Sequence, residues 1–303
     1  MAGNVENVLV ATDFSEASGV GTEWAARVAR DRGARLHVVH VVSPPMPVAD
    51  FTAPPLTLDR ELHDAAEKRL DALLAEAPLA GLDAHAVLRD GTPSIAVLDV
   101  AGEVAADLVV VGTRGLTGFR HLLLGSTAER IVQRAEVPVL SVHPGDRRPE
   151  GGPRTILVPT DFSADAEEAL DAASVSLRLR GGETRVILLH VYHVPAEYST
   201  YGPSATLYGM GDEVERTLVD RLEALAAPLR DAPGDGDRTV EVAAIPGIPA
   251  EVIVHQAEER GADLIAMGTH GRSGVAHLLL GSTAERVVQH APCPVLTVRH
   301  DGE

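Results

Sequence analysis

The sequence has a single cysteine, a single lysine and few aromatic residues. Cys293 alone cannot form an intrachain disulfide or a cysteine-based metal site. Aromatic residues make up 3% of the 303 residues and hydrophobic residues 45%, so the core must be built from Ala, Val, Leu and Ile. Lys68 is the only lysine, a bias that either genomic base composition or a high-salt cytoplasm would explain.

Positive charge and long apolar runs are also lacking. The formal net charge is −18, which argues against a nucleic-acid binder or a protein drawn to anionic membranes, because both need a positive surface. No apolar run reaches the ~18 residues of a membrane span, and the N-terminus shows no signal-peptide pattern. We therefore expect a cytoplasmic protein with neither a nucleic-acid nor a membrane partner.

What the chain does have is one sequence pattern that occurs twice. The segment HLLLGSTAER stands unchanged at His121–Arg130 and at His277–Arg286. Shorter matches pair VLVATDFS with ILVPTDFS, ADLVVVGT with ADLIAMGT, and PVLSV with PVLTV. A stretch rich in Pro and Gly, 144–153, lies between the copies and is typical of a linker. The sequence therefore predicts two domains, residues 1–146 and 147–303.

Within each copy, short apolar runs alternate with helical patterns. In the first copy VLVAT is typical of a buried strand, and a helix is predicted next with Ser15 as its N-cap and Gly33 as its stop. Such alternation implies a parallel sheet with right-handed crossovers, whose ligands bind beyond the carboxyl ends of the strands. We expect an α/β fold of two tandem Rossmann-like domains, each with a five-stranded, mainly parallel sheet flanked by helices.

The candidate site is a glycine-bearing loop after the fourth strand of each copy. Its pattern, G-x2-G-x9-G-S, falls on Gly112, Gly115, Gly125 and Ser126 and again on Gly268, Gly271, Gly281 and Ser282. Glycines let backbone amides approach an anion, and a helix that begins just after the third glycine directs its N–H groups to the same place. A triphosphate cradle is one interpretation. The other is structural, because S-T-A-E at the start of each helix fits a capping box.

The first strand, the glycine pattern and the last strand together resemble those of the universal stress protein family. The resemblance covers nearly the whole chain as two consecutive domains, and Met267–Val298 is very close to the family pattern. In that family the full glycine pattern marks members that bind ATP. The resemblance therefore implies one ATP with Mg²⁺ in each domain, and domains of the adenine nucleotide alpha hydrolase-like kind. It also implies that the last strands pair, which would join the domains as a pseudo-dimer, while homodimer formation is left open.

The resemblance implies a role for each matching residue. Asp13 and Asp161 would contact the ribose or adenine, with a turn aspartate before the first helix as the alternative. Val41 and Val191 would hold adenine, with ordinary strand core as the alternative. Contacts with ribose and phosphates are implied for Gly112, Gly115, Gly125, Ser126 and Thr127, and for Gly268, Gly271, Gly281, Ser282 and Thr283.

The two copies also differ in detail. Arg114 stands where the second copy has His270, which would tune phosphate affinity differently in the two sites. All four tyrosines lie in one segment of the second copy, Tyr192–Tyr208, which the sequence predicts as a loop. That loop would either fold over its own domain or form a lid or partner surface.

Motifs for other nucleotide chemistry are missing. The sequence contains no G-x4-G-K-S/T, no G-x-G-x-x-G and no kinase or hydrolase signature, so no residue is assigned a catalytic or metal-binding role. The leading function is nucleotide-dependent regulation of a stress response through an unidentified protein partner, with little or no hydrolysis. Two alternatives stay open: a slow Mg-dependent ATP hydrolase or phosphotransferase, and an interaction module whose nucleotide is structural. AMP or a cyclic nucleotide could occupy the same cradle.

Overall fold

The computed structural model describes most of both repeats. The described residues are 5–43, 56–113, 124–146, 153–175, 184–193, 205–231, 238–270 and 280–299. They form two compact units, one before residue 147 and one after residue 152.

The first unit alternates strands with helices along the chain. Its elements are β1 (Asn7–Ala11), α1 (Glu16–Arg32), β2 (Arg35–Val42), α2 (Leu56–Leu74), β3 (Ala84–Asp90), α3 (Pro93–Glu103), β4 (Leu108–Gly112), α4 (Ser126–Arg134) and β5 (Val139–Val142). The strands lie in the order β3-β2-β1-β4-β5, and neighbouring strands are parallel. The order reverses at β1 and β4, which creates a crevice at the carboxyl ends of these two strands.

The second unit repeats this arrangement. Its elements are β6 (Thr155–Pro159), α5 (Ala164–Val175), β7 (Thr184–Tyr192), α6 (Ala205–Asp231), β8 (Arg238–Pro246), α7 (Pro249–Glu259), β9 (Leu264–Gly268), α8 (Ser282–His290) and β10 (Val295–Val298). The order is β8-β7-β6-β9-β10, again with parallel neighbours. The predicted α/β class and parallel sheet are confirmed in both units.

Aliphatic side chains of the central strands form the core of each unit. Leu9 of β1 and Leu157 of β6 are fully buried. Trp24 of α1, the only tryptophan in the sequence, is also buried, with 2% of its surface exposed. Full burial of one leucine side chain contributes about 2 kcal/mol. Cys293 is buried at 3% exposure, which agrees with a core position for this residue.

The start and stop of α1 follow the predicted signals. The Ser15 side chain accepts a hydrogen bond from the N–H of Ser18 at 3.3 Å, which makes Ser15 the N-cap. Gly33 ends the helix with a left-handed φ of 67°, and its N–H donates to the carbonyl of Ala29. Both predictions are confirmed. The cap at Ser15 places residues 12–14 at the carboxyl edge of the sheet, directly after β1.

The tyrosine-rich segment of the second copy is partly regular structure. The sequence predicted one loop, but Tyr192 ends β7 and Tyr208 falls within α6. Tyr198 and Tyr201 lie outside the described residues. α6 has 27 residues, yet neither it nor any other helix within the described ranges is long and apolar enough to span a bilayer.

Candidate functional site

A pocket lies at the carboxyl ends of β6, β7 and β9 in the second unit. Its volume of about 670 Å³ falls within the range of roughly 300–1,000 Å³ that is usual for small-molecule sites. Predicted site residues that line it are Asp161, Val191, Gly268, Gly281, Ser282 and Thr283. The structure thus brings together six residues that are spread over more than a hundred positions of sequence. Gly271 lies outside the described residues, and the binding roles of all these residues stay predictions.

The first unit places the matching residues at the same edge of its own sheet. Asp13 follows β1, Val41 lies at the end of β2 and Gly112 ends β4, so all three lie at carboxyl ends of strands. The beginning of α4 supplies Gly125, Ser126 and Thr127. Gly115 lies outside the described residues.

The helices α4 and α8 begin one residue earlier than a capping box requires. Their N-caps are Gly125 and Gly281, with extended backbones at φ −71°, ψ 142° and φ −68°, ψ 143°, and neither end has a side-chain cap hydrogen bond. Ser126 and Ser282 are therefore the first helical residues. The capping-box interpretation of these serines is wrong.

The glutamates of the same sequence pattern also have another role. Glu129 accepts a hydrogen bond from the side chain of Gln133 at 3.1 Å, one turn further along α4. Glu285 and Gln289 make the same contact at 3.3 Å in α8. The N–H groups of a helix's first turn have no acceptor inside the helix, and the positive end of the helix dipole lies there. Both helix starts are therefore suited to an anion.

Replacing the two serines tests this assignment. Ser126→Ala and Ser282→Ala should each change the free energy of unfolding by less than about 0.5 kcal/mol, because no cap bond is lost. Ser15→Ala, at a true N-cap, should cost about 1 kcal/mol. Urea unfolding of the three variants measures the difference. A loss at Ser126 as large as that at Ser15 would contradict the assignment.

The third glycine of each pattern joins the start of the loop to the start of the helix. The N–H of Gly125 donates to the carbonyl of Thr113 at 2.7 Å, and the N–H of Gly281 donates to the carbonyl of Thr269 at 2.8 Å. A Cβ atom at these glycines would lie 3.2 Å and 3.0 Å from the same carbonyl oxygens. The close approach of two backbones explains why glycine stands here.

The first glycine of each pattern has a packing role instead. A Cβ atom on Gly112 would lie 2.8 Å from the backbone nitrogen of Ser18 and 2.9 Å from the carbonyl carbon of Ala17. On Gly268 it would lie 2.6 Å from the Cβ of Asp165. Glycine therefore lets the fourth strand of each unit pack against the first turn of the unit's first helix. Contact of these two glycines with a ligand stays a prediction.

The aspartates that follow β1 and β6 take part in the turn before the next helix. One carboxylate oxygen of Asp13 accepts a hydrogen bond from the N–H of Ser15 at 3.0 Å. Asp161 accepts from the N–H of Ser163 at 3.1 Å in the same way. This is the predicted turn role, and it holds each carboxylate in one orientation at the crevice.

A cluster of three side chains, which the sequence reasoning missed, packs against this turn. Phe14 has a φ of 60°, a strained value for a bulky residue. Its ring lies 4.6 Å from the ring of His40 and 4.1 Å from the guanidinium carbon of Arg69, while the Nδ1 of His40 is 2.8 Å from the carbonyl oxygen of Thr12. The second unit repeats the cluster with Phe162, His190 and Arg221, and the Nδ1 of His190 lies 2.7 Å from the carbonyl oxygen of Thr160. The available signal was a phenylalanine at the same place in both copies of a chain with only four.

An apolar wall completes the pocket of the second unit and was also missed. Leu189 and Met267 contribute from β7 and β9, and Pro249 and Ile253 from α7. The sequence signal was the proline that opens the third helix of each copy, Pro93 and Pro249. The pocket therefore has an apolar side and, at the start of α8, a polar side.

The fold and the site define the class of protein. Two similar α/β units each carry glycines, an aspartate and a helix N-terminus at the switch point of a parallel sheet, which is where such proteins bind ligands. The chain belongs to the universal stress protein family, whose model matches residues 4–143 and 153–299.

Individual relatives match over nearly the whole chain. A universal stress protein of Mycolicibacterium smegmatis is 29% identical over 298 residues and covers 96% of both chains. One from Mycobacterium tuberculosis is 30% identical over 305 residues, again with 96% of each chain covered. The crystal structure of a universal stress protein from Archaeoglobus fulgidus covers 97% of this chain and 98% of its own at 23% identity, with a TM-score of 0.68, and has the same fold.

Proposed function

We propose that each domain binds one ATP and that ATP occupancy sets the conformation or partner choice of a stress-response regulator, with little or no hydrolysis. The observation that carries the proposal is the start of α4 and α8. There a serine follows a glycine N-cap and makes no cap bond. Its hydroxyl and the first-turn N–H groups could therefore bind an anion at the switch point.

The residues that line the pocket of the second unit support ATP as its ligand. Its apolar wall, together with Val191, suits the adenine ring, and Asp161 can accept hydrogen bonds from ribose hydroxyls. Ser282 and Thr283 lie at the helix N-terminus, which suits the phosphates. We propose the same arrangement for the matching residues of the first unit.

Mg²⁺ would enter with the nucleotide. It is usually held by one or two carboxylates together with substrate phosphates and waters. In the part of the chain that the structure describes, no group of three or more His, Cys, Asp or Glu side chains could hold a metal ion. No side chain of the chain is assigned to the ion, and the phosphates of ATP together with water would supply most of the ligands that hold it.

A protein of this kind can report nucleotide levels without turnover. Its occupancy depends on the nucleotide concentration relative to the dissociation constant. Bound ATP shifts a conformational equilibrium by as much as its affinities for the two conformations differ.

Titration of the nucleotide-free full chain tests the proposal. We expect calorimetry with ATP and Mg²⁺ to give two sites per chain, and ADP, AMP and cAMP to bind more weakly. Phosphate release measured on the same samples should stay far below the 1–100 per second typical of kinases. Rapid release that Asp13→Ala and Asp161→Ala together abolish would support the hydrolase alternative, and no binding of any of these nucleotides would contradict the proposal.

A further inference from the structure

A carboxylate next to the first two residues after β9 distinguishes the second unit from the first. Asp165 lies in the first turn of α5, and a Cβ atom on Gly268 would come within 2.6 Å of its Cβ. Ala17 holds the matching position in α1, because a Cβ atom on Gly112 would lie 3.0 Å from its Cβ. The two units therefore share this backbone arrangement and differ in the side chain that it presents to the loop.

Asp165 holds the first two residues after β9. Its Oδ2 accepts a hydrogen bond from the backbone N–H of His270 at 3.0 Å. The hydroxyl of Thr269 lies 3.4 Å from the same oxygen and 3.0 Å from the Nδ1 of His270. The carboxylate Oδ2 lies 3.4 Å from the Nδ1 of His270, and the Asp165 and His270 side chains are only 14% and 20% exposed. Hydrogen bonds to a carboxylate that water reaches poorly are among the stronger ones.

The first unit uses its threonine differently. The hydroxyl of Thr113 donates to the carbonyl of Val142 at 3.2 Å. The backbone N–H groups of Thr113 and Thr269 donate to the last strand of their own unit at the same distance, 2.8 Å. The backbone therefore follows the same course after β4 and after β9. The threonine hydroxyls differ, because in the second unit the hydroxyl contacts α5 instead of the last strand.

Thr269, which Asp165 contacts, is also hydrogen-bonded to the N-cap of α8, the helix that would hold the phosphates. The carbonyl of Thr269 accepts the hydrogen bond from Gly281, the N-cap of α8, and His270 lines the pocket together with Ser282. A continuous set of hydrogen bonds therefore connects Asp165, through the start of the loop, to the helix N-terminus.

We infer that Asp165 is a positioning residue of the second nucleotide site and that it makes the two sites inequivalent. The inference rests on the proposed function. Asp165 fixes Thr269 and His270 before the nucleotide arrives, so binding at the second site costs less ordering of these two residues. A carboxylate near phosphates also repels them, and its hydrogen bonds to His270 and Thr269 offset that repulsion. Removing only the charge separates the two effects.

The experiment measures ATP affinity at the second site alone, in the full chain. Gly125→Val disables the first site, and Asp165→Ala or Asp165→Asn is then added. Asn keeps an oxygen that accepts from the N–H of His270 but carries no charge. We expect Asp165→Ala to weaken ATP binding by about tenfold, the order of effect of one lost hydrogen bond to a charged group. Asp165→Asn should stay within about threefold of the parent chain.

Two controls separate positioning from a general effect on the helix or the chain. Glu167→Ala removes an exposed acid from the same first turn of α5 and should leave the affinity unchanged. Asp165→Ala in a Gly281→Val chain, which keeps only the first site, should also have no effect.

The outcomes separate failure of the inference from failure of the proposed function. Equal affinities for the parent, Asp165→Ala and Asp165→Asn would overturn the inference alone, as would tighter binding by both variants, which would show that repulsion dominates. Equal weakening by Asp165→Ala and Glu167→Ala would assign the effect to the helix and overturn the inference too. No ATP binding by either parent chain would overturn the proposed function and this inference together.

Discussion

A chain that carries both Gly125→Val and Gly281→Val is expected to lose ATP binding by at least about a hundredfold, or roughly 3 kcal/mol per site. Even a Cβ atom at these positions would come within 3.2 Å and 3.0 Å of the carbonyl oxygens of Thr113 and Thr269. The two extra methyl groups of valine would push the loop away from the helix and fill space next to the first-turn N–H groups. Each single variant should keep one site per chain, as counted by calorimetry.

Gly102→Ala is the matched control for these glycine variants. Gly102 lies in α3, and a Cβ atom there would meet nothing within 4 Å. Alanine should leave ATP binding unchanged and raise stability by up to about 1 kcal/mol, because glycine is a poor helix former. Full ATP binding by the double valine variant would contradict the assignment of the third glycine to the nucleotide site.

Gly112→Ala is expected to have the largest effect on stability, a loss of about 3 kcal/mol in the first unit. The added methyl group would meet the backbone of α1 at Ser18 and Ala17, at 2.8 Å and 2.9 Å. Backbone atoms cannot rotate away as a side-chain end can, so α1 must move off the sheet. Thermal unfolding should show the melting temperature of this unit lowered by roughly 10 °C.

Gly21→Ala tests whether that loss is specific. Gly21 lies in α1 and also faces β4, but a Cβ atom there would be 3.6 Å from the side chain of Val110, an ordinary contact. Alanine should be tolerated or even stabilising at this position. If Gly112→Ala melted at the same temperature as Gly21→Ala, the packing role given to the first glycine would be wrong.

The fold was predictable because its signals are local or repeated. The Ser15 cap and the Gly33 stop of α1 depend on residues a few positions apart, and the structure places both as expected. The alternation of apolar runs with helical patterns, present twice, was enough to predict parallel α/β sheets. Limits of helices were less accurate: the leucines at helical spacing in residues 58–77 predict a helix there, and the structure has it from Leu56 to Leu74.

The candidate site was predictable as a set of residues but not as a set of contacts. The capping-box pattern at Ser126 and Ser282 misled, because the bond between each preceding glycine and a threonine carbonyl makes the glycine the N-cap. That bond joins residues 12 positions apart in each copy. The contact of Asp165 with His270 spans 105 positions. Helical and strand periodicities carry no information about such distances, so these roles needed the structure.

The most direct test of the central claim is a count of the nucleotide that the protein carries. Freshly purified chain is denatured, and the released nucleotides are identified and counted by chromatography and mass spectrometry. We predict close to two ATP per chain, with little ADP, and none from the chain with valine at both Gly125 and Gly281. Absence of released nucleotide, together with no uptake when Mg²⁺ and ATP are added, would contradict the account and leave the glycine loops as close-packed turns without a ligand.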